Sequence, residues 1–145
     1  MIRKGKVEDI PQLVKLNRMF ANELPDSFIR DNFNMKTIGA LYYEIIDKGV
    51  CYVYSDVSEV HGVIAGAVSK NIWNPYIIQL DEVIFYIHPD HRRRSIGTDL
   101  LDEYTNAAKN YKLSTLKLMH NSPDMEEYYN NLGYNYLERT YVRGG

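Results

Sequence analysis

The chain has 145 residues, 45% hydrophobic and 25% charged, with a formal net charge of −2. That suits one domain over residues 1–145 and, at this length, burial of roughly two thirds of the unfolded surface without metal or disulfide staples. The balance argues against a general polyanion binder, which needs a basic excess. The single cysteine, Cys51, excludes an intrachain disulfide. No apolar run approaches the ~20 residues of a membrane helix or resembles a signal peptide. A cytoplasmic protein with no membrane partner is expected.

Residues 2–6 form a first strand candidate. From Asp9 an amphipathic helix begins, with Pro11 in its first turn, where a missing N–H does no harm. Ile10, Leu13, Val14, Leu16, Phe20, Ala21 and Leu24 recur at helical spacing, and Pro25 marks the end. "DSFIRDNFN" reads as a polar connection. A second helix is expected over 35–48, stopped by Gly49. β-Branched and aromatic residues then fill 50–55 and 60–69, with turn chemistry in "SDVSE" between them, so a hairpin is expected.

"YIIQLDEVIFYI", residues 76–87, is long and apolar enough to be a strand covered on both faces. After it, Ile96, Leu100, Leu101, Tyr104, Ala107 and Ala108 make one apolar helical stripe. A short strand over 115–119, a helix over 124–132 stopped by Gly133, and a last strand or hairpin in "YNYLERTYVR" complete the order. The pattern is β-α-α-β-β-β-α-β-α-β, a mixed α/β layout. The helix between the long strand and the 115–119 strand favours parallel pairing of those two.

"HPDHRRRSIGTDLL" lies between the long strand and the helix that follows. Ligands of α/β sheets collect at the carboxyl ends of strands. A helix N-terminus offers unpaired N–H groups and partial positive charge. Arg92, Arg93 and Arg94 add fork-shaped donors, Ser95 and Thr98 add hydroxyls, and Gly97 lets an anion approach the backbone. A phosphate-containing ligand, a solvated loop and a nucleic-acid contact all fit this stretch by itself. It is neither a P-loop nor a dinucleotide fingerprint.

"FYIHPDHRRRSIGTDLL" resembles the acyl-CoA-binding motif of the GNAT superfamily of N-acyltransferases, Gln/Arg-x-x-Gly-x-Gly/Ala opening a helix. Arg92 takes the first place and Gly97 the last, with Ser95 in place of the middle glycine. "MEEYYNNLGYNYLERTYVR" is similar to the C-terminal segment of that family, Tyr-x-x-Leu-Gly-Phe/Tyr, with Tyr129, Leu132, Gly133 and Tyr134 in place. The N-terminal "IRKGKVEDIPQLVKL" is also typical of it.

The resemblance implies a central mixed, mostly antiparallel sheet of six to seven strands flanked by about four helices. It implies an acetyl-CoA-dependent N-acetyltransferase acting on a primary amine, of a small molecule or a protein. The alternative is a protein of this fold that binds acyl-CoA or regulates without catalysis. The N–H groups around Arg93, Arg94, Ser95, Ile96, Gly97 and Thr98 would hold the pyrophosphate. Phe85, Tyr86 and Ile87 would pair with the pantetheine arm. Asn121 stands near the place of a cofactor-contacting asparagine, and a turn before Pro123 accounts for it equally well. No nucleic-acid partner is implied, and a homodimer is compatible with an open strand edge.

Acyl transfer to an amine requires removal of a proton, donors for the oxyanion and a proton for the leaving thiolate. By motif position Asp81 aligns with the base, on the strand face of Val83, Phe85 and Ile87. Glu82 replaces it if a bulge shifts the register. Tyr129 aligns with the general acid, and an N–H near Ile87 with the oxyanion donor. His88, His91 and His120 cluster near these loops without metal-ligand spacing, so no metal is assigned. Glu23, Asp26 and Asp31 lie in the stretch that walls the acceptor in this architecture.

Overall fold

The computed structural model describes residues 1–144, with Arg94 described by its backbone alone. Five strands form one sheet in the order β1-β2-β3-β4-β5. They are β1 (Ile2–Lys4), β2 (Val50–Ser55), β3 (Val60–Lys70), β4 (Ile78–Ile87) and β5 (Leu113–Thr115). The first four run antiparallel in succession, and β5 lies parallel to β4. The helices are α1 (Ile10–Asn22), α2 (Ser27–Asp31), α3 (Met35–Lys48), α4 (Arg94–Ala108) and α5 (Glu126–Asn131). None is long and apolar enough to cross a membrane.

Two cores sandwich the sheet. α1 and α3 bring Leu13, Val14, Leu16, Tyr42 and Ile45 against Val53, Val63, Ala65, Ile84 and Tyr86. On the other face α4 and α5 bring Leu100, Leu101, Tyr104 and Tyr129 against Ile64, Leu80, Phe85 and Ile87. Each buried aliphatic chain contributes about 1.5–3 kcal/mol through the area it removes from water. Cys51 is a buried core residue, and burial pushes its thiol up to about 12.

Three expectations need correction. The "DSFIRDNFN" connection contains α2, because Asp26 caps it by accepting from the Phe28 N–H at 2.8 Å. The fourth-to-fifth strand pairing stops early: β5 ends at Thr115, and residues 116–119 lie outside the ladder. The closing segment, residues 134–144, is largely exposed and forms no strand, so the described sheet has five strands rather than six or seven. A strand needs a partner edge. This segment instead crosses toward α2, where the Gly144 N–H donates to Asp26 Oδ2 at 3.2 Å.

The pairing of β3 with β4 slips at one place. Ala65 faces Ile84 but Gly66 faces Glu82, which leaves Val83 as the extra residue of a bulge. A side chain at Gly66 would come within 2.7 Å of the Tyr104 hydroxyl, so the glycine lets α4 press onto the sheet at the bulge. Val83 and Ile84 both join the α1/α3 core, whereas Leu80, Phe85 and Ile87 face α4.

Candidate active site

Beyond Asp81 and Thr115 the two parallel strands separate. The split is a cavity of about 350 Å³. Phe85, Tyr86 and Ile87 line one arm and Lys117, Leu118 and Met119 the other. Arg92, Arg93 and Gly97 close it at the start of α4, Phe20 and Glu23 close it from α1, and Asn121 and Tyr129 stand at its far side.

The two arms are fastened by Lys117. Its ammonium donates to the Glu82 carbonyl at 2.6 Å, where a neighbouring strand would otherwise place an amide. The Tyr129 hydroxyl donates to the Lys117 carbonyl at 2.9 Å. Gly133, at φ 95°, ends α5 in the left-handed region, and the Tyr134 N–H returns to the Tyr129 carbonyl at 3.1 Å. This turn brings the Tyr134 ring beside that of Tyr129, at 6.4 Å between centroids. The Tyr-x-x-Leu-Gly-Tyr pattern is thus a device that fixes Tyr129 against the cavity.

The bulge decides which carboxylate faces this side. Asp81 shares the α1/α3 face with Val83 but not the α4 face of Phe85 and Ile87. It accepts from Ser69 at 2.9 Å, Thr115 at 2.8 Å and Gln79 at 2.9 Å, and it does not line the cavity. Burial pushes its pKa up, but those hydrogen bonds outweigh burial and hold it below the usual carboxylate range. Glu82 is 3% exposed, and its charge is felt by both Tyr104 and Tyr129. Burial raises its carboxyl to about 7, with the charge and backbone N–H of Lys117 pulling the other way. Glu82 sits behind the lining, next to Lys117. Burial, with the Glu82 charge adding to it, keeps the Tyr129 phenol protonated far above neutral pH.

At the other end, α4 begins at Arg94 with Arg93 as its extended N-cap. The expectation of a free row of amides is met only in part. Arg93 N–H donates to His91 O at 2.9 Å, and Ile96 and Gly97 N–H donate to Arg93 O at 3.0 and 3.3 Å. The Ser95 N–H has no acceptor among the described residues. Ser95 in the motif's glycine place costs no strain, because Gly133 alone has positive φ among the described residues. The Thr98 hydroxyl donates to Ser95 O at 3.2 Å.

Arg92 turns inward. Its Nη2 donates to Glu23 Oε2 at 2.7 Å and its Nε to the Ile87 carbonyl at 2.9 Å, with the guanidinium 5.1 Å from the Tyr86 ring centre. The Tyr86 hydroxyl donates to the same Glu23 oxygen. Burial pushes Glu23 up, but Arg92 and Tyr86 outweigh it and hold the carboxyl below its ordinary value. The His88 N–H donates back to His61 O at 2.7 Å, toward β3. Strand alternation therefore turns the Ile87 N–H and carbonyl toward the split. His91 stacks on His61 at 3.8 Å, and no group of three metal-ligating side chains occurs among the described residues.

The cavity thus gathers Phe85, Tyr86, Ile87, Arg92, Arg93, Gly97, Asn121 and Tyr129, with Glu82 beside Lys117 behind the lining and Asp81 outside it. Lys117 was not singled out from the sequence. Its signal was a lone charge in the apolar run "LSTLKLMH". The donor-lined split, the N-terminus of the 15-residue α4 and the turned-out Ile87 edge together suit a ligand with a strand-like arm and an anionic head.

A strand pair that parts beside a helix N-terminus, with a tyrosine across the gap, is the arrangement the resemblance to the GNAT superfamily implies. Residues 47–136 match the acetyltransferase (GNAT) domain, and the chain belongs to that family. No curated protein matches it. Solved structures share the fold. A predicted acetyltransferase from Clostridium acetobutylicum, solved with acetyl-CoA, is 18% identical with a TM-score of 0.72, over 99% of this chain and 95% of that one. A GCN5-related N-acetyltransferase from Ralstonia eutropha JMP134 is 14% identical with a TM-score of 0.72, over 99% and 97%. A transcriptional regulator from Bacillus halodurans C-125 is 17% identical with a TM-score of 0.70, over 100% and 99%.

Proposed function

We propose that this protein transfers an acetyl group from acetyl-CoA to a primary amine. The observation that carries the reading is the split between β4 and residues 116–119, which is lined by Gly97 in the first turn of α4 on one side and by Tyr129 on the other. Acetyl-CoA supplies the activated acyl group as a thioester. Ser95, Arg92 and Arg93 hold its phosphates. Phe85 and Ile87 offer a strand edge to its amide-bearing arm, and Asn121 lies beside that arm.

Glu82 is the base. An alkyl ammonium, with a pKa near ~10, is no nucleophile, and a buried carboxylate titrating near neutrality matches the task. From behind the lining it takes the proton through a relaying water as the amine nitrogen bonds to the acyl carbon. The Ile87 N–H donates to the carbonyl oxygen as charge grows there, a contribution typically worth ~10²–10³ in rate. Tyr129 then donates its proton to the departing sulfur as the C–S bond breaks. Asp81 has no part in these steps.

The test is calorimetric titration with acetyl-CoA, followed by thiol release across an amine panel. Binding plus amine-dependent thiol release supports the reading. Binding without release on any amine leaves an acyl-CoA-binding protein, and no binding rejects both.

A further inference from the structure

Glu23 and Arg92 pose a conflict inside the cavity. Arg92 holds the first place of the anion-binding motif, yet it is spent on two internal partners. One is Glu23, at 2.7 Å from the C-terminal end of α1. The other is the Ile87 carbonyl at 2.9 Å, on the strand edge that an acyl donor's arm would use. A donor paired along that edge competes for the Ile87 carbonyl, and its phosphates compete for the guanidinium. Both pull Arg92 off Glu23.

We propose that Arg92 is a shuttle, masking Glu23 in the free protein and releasing it when the donor binds, so that Glu23 becomes the carboxylate that receives a cationic amine. This rests on the acyl-transfer reading and adds the acceptor's charge to it. The geometry around Glu23 is suited to the exchange. Arg92 and Tyr86 both donate to Oε2, and no described residue donates to Oε1. Once Arg92 leaves, the Tyr86 hydroxyl still orients the carboxylate, and His120 is the other titratable group near enough to influence it. Glu23 lines the cavity from α1, the side away from Tyr129 and α5. An acceptor held there approaches the thioester from the face opposite the proton donor.

Coupling of this kind is reciprocal: the donor tightens the amine by the factor by which the amine tightens the donor. Removing Glu23 frees Arg92 for the donor without an amine. The ion pair is partly exposed, so its rupture costs a modest factor. Calorimetry with coenzyme A should therefore show Glu23→Gln binding about two- to fivefold tighter than the unaltered protein. In a second titration, 1,4-diaminobutane should bind the coenzyme A-saturated protein at least about fivefold tighter than the free protein, and Glu23→Gln should erase the difference. Coenzyme A affinity that is indifferent to Glu23, or diamine affinity that is indifferent to coenzyme A, overturns the shuttle while leaving acyl transfer standing. Failure of the unaltered protein to bind coenzyme A removes both.

Discussion

The ammonium of Lys117 donates to the main-chain carbonyl of Glu82 at 2.6 Å, and this contact spans the point where β4 and β5 part. It satisfies a carbonyl that the departing strand leaves behind. It also sets a positive charge beside a buried carboxyl, which moderates a pKa that burial raises.

Glu82 gives the account its pH dependence. Its carboxyl rises from an ordinary 4.5 to about 7 in the folded chain. The folded state thus holds this proton more tightly than the unfolded one. The stability it contributes is full below 4.5 and is lost as pH rises through about 7. Glu82→Gln cannot ionise, so urea unfolding at pH 5 and pH 8.5 should show the variant gaining on the unaltered protein by on the order of 1–3 kcal/mol at the higher pH. The rate moves the other way. kcat/KM should climb through about pH 7, and Glu82→Gln should lose ~10²-fold or more and that limb with it.

Tyr129→Phe removes the proton donor and leaves the Lys117 carbonyl without its 2.9 Å partner. kcat should fall ~10²–10⁴-fold while acetyl-CoA affinity changes little. The lost hydrogen bond should cost about 1 kcal/mol in thermal unfolding. Equal losses of kcat and affinity would assign the hydroxyl to binding.

Asp81 carries a different prediction because its hydrogen bonds tie β3, β4 and β5 together outside the cavity lining. Asp81→Ala should destabilise the fold by about 1–3 kcal/mol, through Ser69, Thr115 and Gln79 losing their acceptor. Activity per folded molecule, measured below the melting transition, should stay within about twofold, since a group that touches no reacting atom moves only stability. A large loss of kcat would return Asp81 to the mechanism.

At Gly97 an added Cβ meets only ordinary contacts, 3.7 Å to Ile87 and 3.8 Å to Phe85. Gly97→Ala should therefore fold and bind. Gly97→Glu places bulk and negative charge at the α4 N-terminus and should weaken acetyl-CoA by at least ~10²-fold, as charge repulsion and steric block combine. Calorimetry on the pair separates the anion site from general damage.

The helices α1 and α3, the β2–β3 hairpin and the long β4 were legible because each carries its own period in adjacent residues. The bulge was not. It depends on Gly66 meeting Tyr104 of α4, and neither position marks Val83 as the extra residue. Only the alternation of faces could be read, so Asp81 and Glu82 stood as a conditional pair until the register was known. Lys117 was hidden for the same reason, since its partner Glu82 is distant in sequence and offers a main-chain atom. The Arg92–Glu23 pair joins the motif to α1, and a motif read along the chain presents Arg92 facing outward. The last segment has the alternation of a strand, yet alternation specifies a strand only where an edge receives it.

Amide hydrogen exchange on addition of acetyl-CoA tests the central claim most directly. Protection should rise at Phe85 and Ile87 on β4 and at Ser95 at the start of α4, with little change at Asp81, which lies outside the lining. Unaltered exchange at those three amides, with acetyl-CoA bound and protection appearing elsewhere, would contradict it.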